Sequence, residues 1–498
     1  MKITARSFSR AQWPSKLIAL VALGSSLARS FAAEHRVSSA ADIARLTNDL
    51  RPGDTLVMAN GVWADQAVVF GGRGTADKPI TLRAETPGRV ALSGKSSLVI
   101  DGDHLLVSGL LLQDGQATGE GVRIAGRHCR LTETAIVGGR YKFFVRMFGT
   151  SNRLDHCYLA EKTSDSPTLQ IEAEAWPNHH SIDHNHFGPR PPLGRNGGET
   201  IRVGYSHQSM SNSATVVEHN LFERCDGELE IISNKSCENV YRFNTFLDCA
   251  GMFTLRHGNR CVVEANFFIG HHKRGSGGIR VIGEDHTIIN NYIDGVEEGG
   301  FWITAGIPDS PLAGYFQARN CVIAFNTVVD SRAPGVRLDA GMGTSRRSLL
   351  PENITLANNV FSVREDGEPF RGAEGKGFKW MGNFMSVSST APTKVREGVT
   401  PADLKLTRAA DGLWRPATSS PVRRSAAGSF ANVTTDIDGQ QRDKPADAGC
   451  DQLSDAPIVN RPLRAADVGP SWRRDHESSS RESGRRLRPT GESAESTN

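Results

Sequence analysis

The stretch Val217-Glu-His-Asn220-Leu-Phe222 returns as Tyr241-Arg-Phe-Asn244-Thr-Phe246 and again as Val263-Glu-Ala-Asn266-Phe-Phe268. Each copy has an apolar residue, two variable residues, Asn, one variable residue and an apolar or aromatic residue. Successive asparagines lie 22 to 25 residues apart from Asn220 to Asn291. Other copies lie 28 to 35 residues apart, which predicts inserted loops. The further copies centre on Cys157, Asn185, Asn326 and Asn359, and more loosely on Asn291 and Asn383.

A repeat of about 24 residues with short β-type runs is typical of a parallel β-helix, in which every coil buries apolar side chains inside a prism. Asn suits the bends, because it tolerates the left-handed conformation and its side chain can bond to the backbone or to the next Asn. We therefore assign the asparagines to the scaffold. The predicted fold is all-β, a right-handed parallel β-helix, and no leucine-rich template competes with it.

The region before the repeats predicts a cap. Ser39 to Leu50 carries Ile43, Leu46 and Leu50 at helical spacing behind a candidate Ser cap. Short β-type runs follow, separated by Gly, Asp or Pro. We expect a short N-terminal helix that covers the open end of the solenoid.

The first 33 residues predict an export signal. Basic residues precede the apolar run Leu17–Leu23, and Ser30-Phe-Ala32 is a small-x-small cleavage pattern. The apolar run is too short to span a membrane, so we expect a periplasmic or secreted protein without a membrane anchor. The net charge of +3 argues against a nucleic-acid partner.

Eight cysteines include two pairs spaced by 24 residues, Cys225 with Cys249 and Cys237 with Cys261. Such spacing stacks each pair on neighbouring coils, which permits a disulfide without requiring one. We favour an interpretation as small buried apolar residues. No zinc-like Cys spacing occurs.

The candidate site is Asp226-Gly-Glu-Leu-Glu-Ile-Ile-Ser-Asn-Lys235, with Thr254-Leu-Arg-His-Gly258 one repeat later. Strand alternation predicts that Glu228 and Glu230 point outward while Leu229 and Ile231 point inward. The next repeat would place Arg256 on the carboxylate side. Two acids, a lysine and an arginine on one face indicate a site, with carboxylates suited to Ca²⁺. The alternative is an ordinary solvated strand face.

These motifs resemble polysaccharide lyase family 6, the group of right-handed β-helices that contains alginate lyases and chondroitinase B. The resemblance covers roughly residues 38 to 472. The residues that carry it are Gly53-Asp-Thr, Asn60-Gly, Pro79-Ile-Thr-Leu-Arg-Ala-Glu, Glu228-Leu-Glu-Ile-Ile-Ser-Asn-Lys-Ser, Leu255-Arg-His-Gly, Gly277-Gly-Ile-Arg-Val-Ile-Gly-Glu-Asp-His, Asp436-Ile-Asp-Gly-Gln and Ala466-Asp-Val-Gly-Pro-Ser-Trp.

The resemblance implies a role for each matching position. Asn196, Glu228 and Glu230 match the calcium ligands. Lys235 matches the base and Arg256 the residue on the acid side. His257 and Arg280 match residues that line the substrate groove, and the run around Arg280 is closer to the alginate-cleaving members.

The expected function is therefore calcium-assisted β-elimination on a 4-linked uronic acid polymer, with alginate as the anionic partner. The alternatives are a dermatan sulfate lyase, a β-helical glycoside hydrolase that uses the two acids, and a carbohydrate-binding protein. The expected segments are a signal at 1–33, a catalytic β-helix at 34–400, a C-terminal extension packed on the helix at 401–472 and a disordered tail at 473–498.

Overall fold

The computed structural model describes residues 32–173, 177–364, 368–387 and 396–474. The predicted export signal falls almost wholly outside these residues, as does the predicted disordered tail beyond residue 474. Within the described residues, no helix is both long enough and apolar enough to cross a membrane.

Three long sheets of 14, 12 and 14 parallel strands form the molecule, and most coils of the chain add one strand to each sheet. This is the predicted parallel β-helix. Sheet 1 consists of Glu34–Val37, Thr55–Met58, Ile80–Ala84, Leu105–Ser108, Arg130–Thr132, Arg153–Asp155, Ser181–Asp183, Val216–Glu218, Val240–Arg242, Val262–Glu264, Thr287–Ile289, Val322–Ala324, Thr355–Ala357 and Lys379–Met381.

Sheet 2 carries the candidate site. It consists of Ala67–Arg73, Ser97–Asp103, Glu120–Ile124, Phe143–Met147, Leu169–Ile171, Ile201–Val203, Glu230–Lys235, Met252–His257, Ile279–Val281, Phe301–Thr304, Val336–Ala340 and Phe370–Arg371.

Sheet 3 closes the prism. It consists of Gly61–Ala64, Val90–Ser93, Leu110–Gln113, Ala135–Val137, Tyr158–Ala160, His186–Phe187, Leu221–Glu223, Thr245–Leu247, Phe267–Ile269, Tyr292–Asp294, Thr327–Ser331, Val360–Val363, Asn383–Ser386 and Val399–Ala402.

The helix Ala40–Thr47 caps the first coil. The Ser39 hydroxyl accepts a hydrogen bond from the backbone N–H of Asp42, as expected of an N-cap. Ile43 is fully buried, and Leu46 and Leu50 pack against the core. The predicted N-terminal cap is confirmed, and it covers the apolar end of the solenoid.

The repeated asparagines form a buried ladder. The Asn244 side-chain oxygen accepts hydrogen bonds from the backbone N–H and the side-chain amide of Asn220, both at 3.0 Å. The Asn266 side-chain oxygen accepts the same two hydrogen bonds from Asn244. The ladder continues to Asn383, and Cys157 occupies one rung. One part of the prediction is wrong: the left-handed residue is the one before each Asn, such as Phe243 with φ of 57°.

Inside the prism, the aromatic residue two positions after the ladder Asn stacks from coil to coil. Phe222 and Phe246 lie 4.6 Å apart between ring centroids, and Phe246 and Phe268 lie 4.5 Å apart. Burying such rings gives the fold its main favourable free energy. All eight cysteines lie among the described residues; all are buried and none forms a disulfide.

The C-terminal part of the chain returns along the outside of sheet 3. Leu413, Ile437 and Cys450 pack on Phe267 and Tyr292. Farther back along the sheet, the Trp472 indole N–H donates to the backbone carbonyl of Glu133 at 2.8 Å. The remaining bounds are the antiparallel strands Leu406–Arg408 and Trp414–Pro416, the 3-10 turns Ser206–Gln208 and Ala465–Asp467, and a helical turn over 471–474. This return path leaves the outer face of sheet 2 to the site.

Candidate active site

Two adjacent strands of sheet 2 carry the central motif. Glu230–Lys235 pairs with Met252–His257, with Ser233 opposite Thr254 and register shifts on both sides of that pairing. Lys235 and Arg256 both face outward, and each side chain is 14% exposed. The structure therefore brings the predicted base and the predicted acid-side arginine to one partly enclosed surface.

The predicted inward and outward alternation of side chains is wrong at Leu229, which was expected to point inward. Leu229 is 39% exposed rather than buried, because the strand begins only at Glu230. An irregularity between Glu230 and Ile232 adds a residue to this strand. As a result Phe253 lies beside Ile232, not beside Leu229 as the 24-residue spacing suggested.

Three carboxylates gather next to these strands. Glu199, Glu228 and Glu230 each offer an oxygen within 4.8 Å of the others. One oxygen of Glu199 and one of Glu228 are buried without a hydrogen-bond partner. Burial, together with the neighbouring charges of Glu199 and Glu230, raises the pKa of Glu228 to about 8. Such clustered, under-satisfied carboxylate oxygens fit a hard cation such as Ca²⁺.

Glu199 was missed by the sequence reasoning, although it lies close to the predicted ligand Asn196. Gly198 and Gly227 approach so closely that a side chain on either one would collide with the other's backbone. That contact brings Glu199 and Glu228 together, one residue after each glycine. Gly198 and Gly227, each directly before a glutamate, are a feature of the sequence from which this contact could have been predicted.

The Asn196 side chain is exposed at the outer edge of the same loop. The backbone of its neighbour Gly197 lowers the pKa of the Glu228 carboxyl, although burial and the charges of Glu199 and Glu230 raise it by more. The loop therefore reaches the acidic cluster. The role of Asn196 as a ligand stays a prediction.

Arg190 holds the loop from beneath and was also missed. The buried guanidinium donates to the backbone carbonyl of Glu199, to that of Gly197 at 3.2 Å and to that of Ser166 at 2.9 Å. It also donates to the Thr168 hydroxyl at 3.1 Å. One planar group with several donors thus fixes the backbone that presents Glu199.

Lys235 lies beside the acidic cluster, with Nζ 3.9 Å from a Glu199 oxygen. Burial lowers the pKa of its ammonium group, and the positive charges of Arg202 and Arg256 lower it further. Glu230 and Glu199 act in the opposite direction. A lysine with a lowered pKa is suited to accept a proton.

The Arg256 side chain lies between the three-carboxylate cluster and the segment that contains Gly314 and Tyr315. Its Nε lies 3.7 Å from a Glu230 oxygen, and Nη1 donates to the Gly314 carbonyl at 2.8 Å. Burial lowers the pKa of the guanidinium, while Glu230 opposes the shift. Arginine nevertheless stays charged in proteins, so its role is to donate hydrogen bonds.

Tyr315, which the sequence reasoning did not single out, organises three arginines. Its ring centroid lies 4.2 Å from the Arg256 guanidinium carbon, 4.4 Å from that of Arg347 and 5.7 Å from that of Arg280. Arg280 also lies 3.5 Å from a Glu230 oxygen. These contacts concentrate positive charge on one side of the carboxylates.

His257 is fully buried behind Arg256. One ring nitrogen lies 3.2 Å from the Ser206 hydroxyl, and the ring packs edge-on against Phe316. Burial first, then the charges of Arg256 and Lys235, lower its pKa to about 2, so the ring is neutral. Its predicted role in lining the groove stays a prediction.

Comparisons with known proteins point to one family. A family model described as chondroitinase B matches residues 37–426. The structure of the PL6 family alginate lyase AlyGC is 33% identical, with a TM-score of 0.77, and the match covers 88% of this chain and 59% of AlyGC. The chain thus spans about three fifths of that relative's length. No curated protein sequence matches significantly.

The alignments with two further solved structures cover most of the length of each relative. A mannuronic acid specific polysaccharide family 6 lyase from human gut microbiota is 35% identical, with a TM-score of 0.68, over 74% of this chain and 91% of that one. The PL6 family polysaccharide lyase Pedsa3628 from Pseudopedobacter saltans is 25% identical, with a TM-score of 0.68, over 88% and 99%.

Proposed function

The chain belongs to polysaccharide lyase family 6, and from that premise we propose that it cleaves 4-linked uronic acid polymers, alginate first among them, by calcium-assisted β-elimination. The observation that carries this proposal is the arrangement of Lys235 and Arg256. Each lies within 4 Å of a different carboxylate of one three-acid cluster. A base, a hydrogen-bond donor and a cation site therefore face the same small volume.

The reaction removes the C5 proton next to the uronate carboxylate and expels the C4 oxygen. Lys235 takes the C5 proton on Nζ, because burial and two neighbouring arginines favour its neutral form. With the C5 proton bound, Lys235 is an ammonium ion, and Glu199, 3.9 Å away, stabilises the new charge.

Arg256 faces the leaving oxygen. Its guanidinium is oriented by the Gly314 carbonyl and the Tyr315 ring, so it can donate a hydrogen bond without reorganisation. The high pKa of arginine makes it a poor proton donor, so a water held by Arg256 supplies the proton to the C4 oxygen. The hydroxide left behind is neutralised by the proton that the Lys235 ammonium group releases, which returns Lys235 to its neutral form. In this proposal, Arg280, on the neighbouring strand, binds a substrate carboxylate.

Glu199, Glu228 and Glu230 would hold the calcium ion, with Asn196 as the amide ligand. When bound, calcium offsets the negative charge of the substrate carboxylate and so makes the adjacent C5 proton more acidic. A glycoside hydrolase that used two of these carboxylates as acid and base would leave Lys235 and Arg256 without a role. One oxygen from each of the three acids lies within 4.8 Å of the others, a grouping suited to sharing one cation.

Alginate is favoured over dermatan sulfate by the names of two relatives at least 33% identical, an alginate lyase and a mannuronic acid specific lyase. The test is the ultraviolet absorbance of purified protein with alginate and, separately, with dermatan sulfate in the presence of calcium. We expect a rise with alginate alone. A rise with dermatan sulfate alone would overturn the substrate and keep the reaction.

We further propose export, from the signal pattern in residues 1–33. Mass spectrometry of the protein recovered from a secreting host should give an N-terminus close to residue 33. Recovery of an uncleaved cytoplasmic chain would contradict export.

A further inference from the structure

The outward positions of sheet 2 form one row in register across the strands from Glu120–Ile124 to Phe370–Arg371. Neighbouring strands lie about 4.8 Å apart, which is close to the length of one 4-linked sugar. A polymer along this row would present about one carboxylate to each strand. Six positions of the row are arginine: Arg123, Arg146, Arg202, Arg280, Arg337 and Arg371.

Arg123 and Arg146 lie far from the reacting centre. Their strands are the fourth and the third from the strand of Lys235. At about 4.8 Å per strand, these positions are about 19 and about 14 Å away. No step of the proposed elimination uses them.

An aromatic ring holds this distal pair in place. The Phe148 centroid lies 3.9 Å from the guanidinium carbon of Arg123 and 4.8 Å from that of Arg146. Stacking on a ring restricts the guanidinium to one orientation, which reduces the entropy lost when an anion binds.

The two arginines differ in their ion pairs. Arg146 is ion-paired with Glu172 at 2.7 Å and with Glu120 at 2.9 Å. Arg123 is 39% exposed, and its nearest carboxylate among the described residues, Glu120, lies 3.8 Å away. Arg146 therefore holds Glu172 and Glu120 in place, and the Arg123 guanidinium keeps N–H donors available for a carboxylate from solution.

Tyr205 extends the row of arginines on the side of the reacting centre nearest this pair. Its ring centroid lies 4.5 Å from the guanidinium carbon of Arg202, one strand from Lys235. Burial raises the pKa of the Tyr205 hydroxyl; among nearby charges, that of Glu172 raises it further, while those of Arg202 and Arg146 lower it.

We propose that Arg123 forms a distal subsite, which binds a uronate carboxylate three to four sugars from the scissile bond and selects long chains over short oligomers. This inference rests on the proposed function, because it takes the same anionic polymer as the ligand. It adds that the affinity depends on chain length.

Arg123→Ala tests the subsite, with Arg242→Ala as the matched control. Arg242 is 41% exposed and ion-paired with Glu218, but it lies on sheet 1. Binding of an alginate octamer and trimer is measured by calorimetry in a Lys235→Ala background, so that turnover plays no part. We expect Arg123→Ala to weaken octamer binding about tenfold, since one anion contact is of that order.

Trimer binding should stay unchanged, and Arg242→Ala should change neither ligand. In the active enzyme, Arg123→Ala should raise KM for polymer and leave kcat as it is. Equal losses for trimer and octamer, an unchanged octamer affinity, or no octamer binding at all would overturn the subsite. If the octamer effect is found but the wild type gives no unsaturated product, the subsite stands and the elimination fails.

Discussion

The amino group of Lys235 lies 3.9 Å from a carboxylate oxygen of Glu199, an acid that follows a glycine packed against the backbone of a second loop. The candidate base and the candidate cation site are therefore one unit. A change that moves the loop moves both, and a change confined to Lys235 isolates the base.

Lys235→Ala should lower the elimination rate by about 10³-fold, the usual size of a general base contribution. Lys235→Arg should be as inactive, because arginine keeps the charge but cannot lose its proton. The rate of absorbance increase on alginate measures both. Lys95→Ala, an exposed lysine elsewhere, is the control. Near-normal activity of Lys235→Arg would show that Lys235 contributes its positive charge to catalysis and does not accept the proton.

Glu228→Gln should stabilise the protein in chelator and remove its stabilisation by calcium. Three crowded carboxylates repel one another without a cation, and the neutral amide relieves that repulsion. We expect the variant's melting temperature in EDTA to exceed the wild type's by roughly 2 °C. Added calcium should raise the wild type's value and leave the variant's nearly unchanged. Equal calcium effects on the two proteins would contradict the site.

Asn266→Ala should reduce the free energy of unfolding by about 3 kcal/mol, because several buried hydrogen bonds are lost at once. Its side chain accepts from Asn244 and donates to the carbonyls of Tyr241 and Glu264. Chemical denaturation measures the change. Asn48→Ala, at an exposed position after the N-terminal helix, should cost far less. Similar losses in the two variants would mean that the ladder is not a source of stability.

Acid should destabilise the fold through two buried histidines. Burial lowers the pKa of His180 to about 3 and that of His286 to about 4, from an ordinary value of 6.5. Below about pH 6.5 these histidines bind protons in the unfolded chain but not in the folded chain. The free energy of unfolding therefore falls as the pH falls toward these values. From pH 7 to pH 5 each should cost about 2 kcal/mol. His286→Gln should flatten the loss, and an unchanged slope would contradict this origin.

The repeat predicted most of the fold because each coil is a local pattern. The positions of Asn220, Asn244 and Asn266 fix the bends, and their aromatic partners fix the inward face. Local backbone geometry was less visible. The left-handed residue is the one directly before the Asn, which the repeat pattern did not reveal.

The site was predictable where the chemistry lies in one motif. Lys235 and Arg256 lie on adjacent strands as the sequence indicated, although the irregularity after Glu230 changed the alignment. Glu199 and Arg190 could not be found in the same way. Both lie in the 35-residue interval between Asn185 and Asn220, and a loop contact rather than a repeat brings them to the site.

The most direct test of the central claim is the mass of the oligosaccharides that the purified protein releases from alginate. Each elimination leaves a conjugated double bond at the new non-reducing end of one of the two fragments, and that fragment is one water lighter than its counterpart from hydrolysis. We predict these lighter masses for the wild type in calcium and none for Lys235→Ala. Saturated products alone, with none of the lighter masses, or lighter products that persist in Lys235→Ala, would contradict a Lys235-driven lyase.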